Sequence, residues 1–158
     1  ERVRPGLTVA EQAESGEGAI RVERVAAPRH IARLMGVAEH TPVVMRQRVA
    51  RHAGRPSAVE TLYFPLEIAL GTDLEKPDPL PRGVRHHLEA LKHVRFDHIT
   101  ERLTARTPTE QEAELLGSSD PVLGVLATVH DPAGSVLMVM SVALPGELHE
   151  LEDVYPVR

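Results

Sequence analysis

The sequence has no cysteine and no tryptophan, only two Phe and two Tyr, and only two lysines (Lys76 and Lys92) among its 18 basic residues. Each shortage removes a class of function. Without cysteine there are no disulfides, no thiolate metal centres and no cysteine nucleophile. With four aromatic rings there is little to stack on the bases of a single strand. The longest uninterrupted apolar run, Val136 to Met140, ends at Ser141, far short of the roughly 20 residues that span a bilayer as a helix. No charged start followed by an apolar stretch marks a secretion signal. A soluble cytoplasmic domain is the expectation.

What is present supports one folded unit. The chain has 158 residues, 42% of them hydrophobic and 26% charged, enough to bury a single core and too apolar to be disordered. Its 23 acidic residues against 18 basic ones give a net charge of −5. The imbalance is uneven along the chain. Residues 1–56 hold ten Arg and six acids, net +4, whereas residues 57–158 hold eight basic and 17 acidic residues, net −9. Duplex DNA binding rests on phosphate contacts and a dense basic face. This acidic domain is not expected to bind nucleic acid unaided.

Residues 1–18 are polar and Gly-rich and read as linker. Residues 19–26 (AIRVERVA) alternate loosely as a strand. Pro28 opens a short helix with Ile31, Leu34 and Met35 at helical spacing, closed by Gly36. Two β-rich runs follow, 42–51 (PVVMRQRVAR) and 56–65 (PSAVETLYFP), around His52-Ala53-Gly54. A three-residue loop there pairs Arg51 with Arg55, so Arg46 faces Glu60 and Arg48 faces Ala58. One face then carries Arg46, Arg48 and Glu60.

A helical turn at 66–70 leads through a Pro-rich stretch to a helix at 83–93, with Val84, Leu88 and Leu91 inward. Residues 96–106 alternate as a strand with Ile99 and Leu103 inward. Thr107-Pro108-Thr109-Glu110 reads as a capping box with Thr107 at the N-cap, and Gly117 ends the helix it opens. A second hairpin runs over 121–130 and 135–144 around Asp131-Pro132-Ala133-Gly134. Residues 150–157 are expected to add an edge strand. The order β-α-β-β-α-α-β-α-β-β predicts an α+β fold, an antiparallel sheet with helices packed on it.

Several chemistries lack their residues. None of the six serines sits in G-x-S-x-G or S-x-x-K. No Gly-rich phosphate loop occurs, so no nucleotide cofactor is expected. His86, His87, His93 and His98 cluster locally, but adjacent His86 and His87 point about 100° apart on a helix, which suits solvated or capping histidines better than metal ligands. Gly83 between Arg82 and Arg85 is a weak anion site at a helix start, and a plain helix start accounts for it better. The informative group is Arg46, Arg48 and Glu60. Two arginines two apart on a strand point the same way. In a pocket they would offer paired forks to a carboxylate or phosphate, with Glu60 holding an amine or hydroxyl of the same ligand. A solvated cross-strand salt bridge fits the pattern equally well.

Beyond pattern, these residues resemble a known family. Arg46-Gln47-Arg48, Gly54-Arg55-Pro56, Glu60 and Tyr63-Phe64-Pro65 resemble the signature hairpin of the UTRA domain, the effector-binding half of GntR-type bacterial transcription regulators of the HutC subfamily. Upstream APRHIARLMGVAEHTPV and downstream ITERLTARTPTEQEAELLGSSDPVLGVLATVHDPAGSVLMV resemble its helix and turn and its strand, capped helix and final hairpin. The likeness covers residues 19–155.

The resemblance implies a chorismate lyase-like fold, a small-molecule pocket on the sheet, a homodimer, and no catalysis. Arg46 and Arg48 match the family's effector-anion arginines and Glu60 the acid that follows them, so an anionic effector is implied. Arg85, Met138 and Leu144 stand at further pocket positions: the family's frequent G-S-l-y is Gly83-Val84-Arg85-His86 here, and its last-strand acid and aromatic are Met138 and Leu144. Loss of that Ser, Glu and aromatic argues against an amino-sugar phosphate effector. The family's operator-binding winged helix-turn-helix has no counterpart in this sequence, so DNA as a partner belongs to a missing N-terminal domain. A stand-alone chorismate lyase-like enzyme and an interaction domain with a vestigial pocket are the competing readings.

Overall fold

The computed structural model describes residues 19–152 and 154–158; the linker reading of residues 1–18 lies outside them. The elements are β1 (Arg21–Ala26), α1 (Arg29–Met35), β2 (Pro42–His52), β3 (Arg55–Pro65), α2 (Leu66–Ala69), α3 (Gly83–Lys92), β4 (His98–Arg106), α4 (Glu110–Leu116), β5 (Val122–His130), β6 (Val136–Pro145) and a 3₁₀ turn at Gly146–Leu148. All strands pair antiparallel in one six-stranded sheet, order β1-β2-β3-β6-β5-β4. The expected order and the α+β class are those observed.

Helices cover both faces of the sheet. On one face α2, α3 and the segment between them bring Leu74, Leu80, Val84 and Leu88 onto Val44, Leu62, Phe64, Met138 and Met140. On the other, α1 packs Ile31, Ala32 and Met35 against Val43 and Val139, and α4 packs Leu116 against Val59, Val122 and Ala143. Gly36 ends α1 and Gly117 ends α4, each in the left-handed conformation with its N–H bonded back into the helix. Only glycine adopts that backbone without a steric penalty.

The first hairpin differs from its expected geometry twice. Ala53 and Gly54 alone form the loop, both at positive φ (51° and 77°), the primed type of turn that suits a two-residue hairpin. That loop pairs Arg51 with Pro56, and by itself it would put Arg46 and Glu60 on opposite faces. A β-bulge then leaves Ser57 unpaired between Arg51↔Pro56 and Ala50↔Ala58. The bulge restores the face, because side chains alternate with period two. Arg48, rather than Arg46, stands opposite Glu60, and Arg46 stands opposite Leu62.

Three further expectations are corrected. The capping box is Thr109 with Glu112, two residues later than expected. Thr107 and Thr109 each have a glutamate three residues on, but the helix begins at Glu110, which puts Thr109 at the N-cap and Glu112 within reach of its backbone N–H. Leu91, Ile99 and Leu103 are exposed: α3 buries Gly83, Val84 and Leu88, and β4 lies at the sheet edge. Among the described residues of 150–157 none is in a strand, and all are exposed.

Glu112 does more than cap. It accepts the Thr109 N–H at 2.8 Å and a two-nitrogen fork from Arg106 at 2.6 and 2.9 Å. Gly124 leaves room for that arginine, since a Cβ there would lie 2.7 Å from Arg106 Nε. The Arg106 fork, then the Thr109 contacts, hold the Glu112 carboxyl below its ordinary value although burial opposes them. A depressed carboxylate contributes stability above the unfolded-state value and loses it as pH falls through the folded one. Wild-type protein should therefore lose stability below about pH 4.5 in urea titrations, and Glu112→Gln should lose less over the same window. In the same assay Thr109→Ala should cost about 1 kcal/mol and Thr107→Ala almost nothing.

Candidate functional site

The site is built from the central strands outward. Pairing across the sheet sets Arg48, Glu60, Val142, Val125 and Leu103 in one row, and Arg46, Leu62, Met140, Ala127 and Glu101 in the next, all on the face that α2 and α3 cover. Arg46, Arg48 and Glu60 thus share a face as expected, with roles that the sequence did not distinguish.

Arg46 is only 2% exposed. Its Nη1 donates to the carbonyls of Leu74 at 2.8 Å and Lys76 at 2.7 Å, and its Nη2 to the carbonyl of Asp78 at 3.1 Å. A guanidinium offers five donors in a rigid plane, and here at least three of them fasten one stretch of backbone. That stretch, residues 70–82, is a strap across the sheet. Buried Leu74 and Leu80 face the core from it. His87 Nε2 accepts the Asp73 N–H at 3.0 Å, and Lys92 Nζ donates to the Leu70 carbonyl at 2.7 Å. At the sheet edge Arg24 grips Glu75 through Nε at 2.5 Å and Nη2 at 2.9 Å, holding the Glu75 carboxyl below its ordinary range. That pair is exposed and adds little energy by itself.

Arg48 is placed differently. Its Nε donates to Glu60 Oε2 at 2.5 Å, with side chains 16% and 13% exposed. The pair sits beside the small side chains of Ala50 and Ala58, which follow it on the same face. Charge at this point of the sheet is close to balanced.

The remaining expected positions divide. Leu144 is half-buried on the same face, beside Leu123. Met138 is fully buried in the core with Phe64 and Val129, so it forms floor rather than an accessible contact. Arg85 lies on α3, donates to Glu89 Oε1 at 2.9 Å and stacks over the Phe96 ring at 5.9 Å. Gly83 N–H donates to the Leu80 carbonyl at 3.0 Å, so this amide turns inward to the strap. The strap itself was missed, because its hold on the sheet is made by backbone carbonyls, which no side-chain pattern announces. The one available signal was a pair of leucines, Leu74 and Leu80, within an otherwise polar, Pro-rich stretch.

Removing Arg46 leaves buried carbonyls without donors, and removing Arg48 leaves the largely buried Glu60 carboxylate without its partner. Arg46→Ala should cost about 2–3 kcal/mol and Arg48→Ala about 1–2 kcal/mol. Equilibrium urea unfolding of the two variants checks the order.

Comparison with known proteins adds three likenesses. The family model described as UTRA domain matches residues 11–149. An uncharacterised HTH-type transcriptional regulator of Streptomyces coelicolor is 33% identical over 97 residues, covering 60% of this chain, and the match spans 36% of that protein. Among solved structures, the ligand-binding domain of a protein assigned to the GntR family of regulators in Bordetella bronchiseptica superposes with TM-score 0.74 at 20% identity, over 99% of this chain and 100% of that one. The effector domain of PhnF from Mycobacterium smegmatis superposes with TM-score 0.73 at 16% identity, over 89% and 88% of the two chains. At those identities the structural likenesses establish the fold.

Proposed function

The chain belongs to the UTRA domain family, the effector-binding module of GntR-type transcriptional regulators, and on that premise we propose that it senses a small anionic molecule at Arg46, Arg48 and Glu60. It does so as a homodimer of the HutC subfamily, in the cytoplasm, within a repressor whose operator contacts are made by an N-terminal domain. The observation that carries this reading is the placement of the two arginines and the glutamate on one sheet face beneath the strap of residues 70–82. Leu144 lies on the same face, whereas Arg85 on α3 is engaged by Glu89 and the Phe96 ring.

The coupling follows from linkage. An effector shifts the regulator between two arrangements only by its difference in affinity for them. A typical coupling of about 1–3 kcal/mol changes operator affinity about 5–150-fold. The strap is closed on Arg46 in this structure, and we infer a second position lifted from it. Ligand that engages Arg46 competes with the carbonyls of Leu74, Lys76 and Asp78, so binding and strap position are coupled through one side chain.

A thermal-shift screen against small phosphates, carboxylates, amino sugars and aromatic acids tests this. A ligand that binds only the native state adds about 2.7 kcal/mol at a hundredfold excess over Kd. The expected result is a hit that vanishes in Arg48→Ala, with circular dichroism reporting that the variant is folded. A hit that persists in Arg48→Ala and in Glu60→Gln places binding elsewhere and overturns the assignment.

A further inference from the structure

Two arginines from neighbouring strands grip one point of the strap. Arg46 on β2 holds the carbonyls of Leu74 and Lys76. Arg24 on β1 forks through Nε and Nη2 onto the carboxylate of Glu75, the residue between them. The β1–β2 register sets both arginines on the same face, with Val22 opposite Arg46 and Arg24 opposite Val44. A two-point fork onto a carboxylate fixes orientation as well as distance. Residues 74–76 therefore cannot leave Arg46 as a unit without drawing Glu75 away from Arg24.

β1 is a lightly held strand. It lies at an edge of the sheet and among the described residues pairs only with β2. Only Val22 and Val25 along it are even half-buried. Val22 packs on the main core and Val25 on the cluster under α1. Elements with few buried contacts open locally at far less cost than global unfolding. An exposed ion pair adds little to the stability of the whole fold. Set against an opening that is itself cheap, the same contact changes the open population several-fold. The other two holds on the strap, His87 on the Asp73 N–H and Lys92 on the Leu70 carbonyl, come from α3 and do not involve β1.

We propose that Arg24 and Glu75 are positioning residues that tie β1 to the strap, so that a strap lifted from Arg46 releases β1. The inference rests on the sensing reading above, in which the operator-contacting domain precedes β1, and it names the contact through which strap position reaches that side of the chain. Arg24 and Glu75 touch no ligand in this scheme. They set how strap and strand move together.

Amide hydrogen exchange read by mass spectrometry tests this on the chain without ligand, in residues 21–26 and 70–82, with β5 as the reference for global opening. Arg24→Gln and Glu75→Gln should each speed exchange about threefold in both segments and leave β5 unchanged. The charge swap of Arg24→Glu with Glu75→Arg should return both segments to wild-type rates, a rescue that loss of packing would not give. Arg46→Lys keeps the charge, gives up the fork and stands in for a lifted strap. It should speed both segments in the wild-type background, and only residues 70–82 in the Glu75→Gln background. Wild-type rates at β1 in both Arg24→Gln and Glu75→Gln overturn the tie, whatever Arg46→Lys does, and leave the sensing reading to its own screen. Faster β1 exchange in Arg46→Lys that persists in the Glu75→Gln background overturns this pair as the route. A thermal-shift hit that persists in Arg48→Ala and Glu60→Gln overturns the sensing reading with the exchange pattern unchanged, so the two fail separately.

Discussion

The contact on which the site depends is the fastening of Arg46 to three main-chain carbonyls. A buried cation is costly unless its donors are satisfied. Arg46 meets that demand by organising residues 70–82, a segment with too little regular structure to hold itself. The strap in turn delivers Leu74 and Leu80 to the core and sets where α3 begins, through the Gly83 N–H on Leu80. One side chain on the inner strand β2 therefore anchors the middle of the strap, which Arg24, His87 and Lys92 hold as well. The arginine and the leucines stabilise the same arrangement from two sides, polar and apolar.

Parity explains how much of this was legible in the sequence. Arg46, Arg48 and Glu60 were placed on one face although both the loop length and the cross-strand partners were misjudged. Two one-residue departures, the shorter loop at Ala53-Gly54 and the bulge at Ser57, sum to a shift of two, and a shift of two leaves every side chain on its face. The partner of Glu60 changed and its side did not. The capping box moved for a related reason, since Thr107 and Thr109 both precede a glutamate and the sequence alone does not say which backbone turns first. The misplaced core residues have a different origin. Ile99 and Leu103 alternate as a half-buried strand should, but alternation reports which side a residue faces and not whether that side is covered. Cover is a tertiary property, decided here by where α3 stops.

The two arginines show why a shared motif does not fix a shared role. Both lie on the same strand face two residues apart, yet one is spent on backbone and the other on a carboxylate. What separates them is depth. Arg46 is 2% exposed under the strap, while Arg48, one row nearer the Ala53-Gly54 hairpin end, has a side chain 16% exposed. A guanidinium under cover takes whatever acceptors the cover supplies. One near the opening keeps a counter-ion that water or a ligand can replace.

That difference bears on selectivity. An incoming anion at this face gains only the excess of its own contacts over those it displaces, whether strap carbonyls at Arg46 or the Glu60 carboxylate at Arg48. Displacing Glu60 leaves a carboxylate that needs a new donor, and a ligand carrying an ammonium or hydroxyl group beside its anion supplies one. A simple anion does not, and it would leave Glu60 partly buried and unpaired, which costs more than a lost surface ion pair. If ligand binds here as proposed, the Arg48–Glu60 pair would disfavour bare phosphate or chloride relative to a ligand with donor and acceptor side by side. In the proposed site the strap on Arg46 would add a second competitor, one that only a ligand reaching deeper displaces.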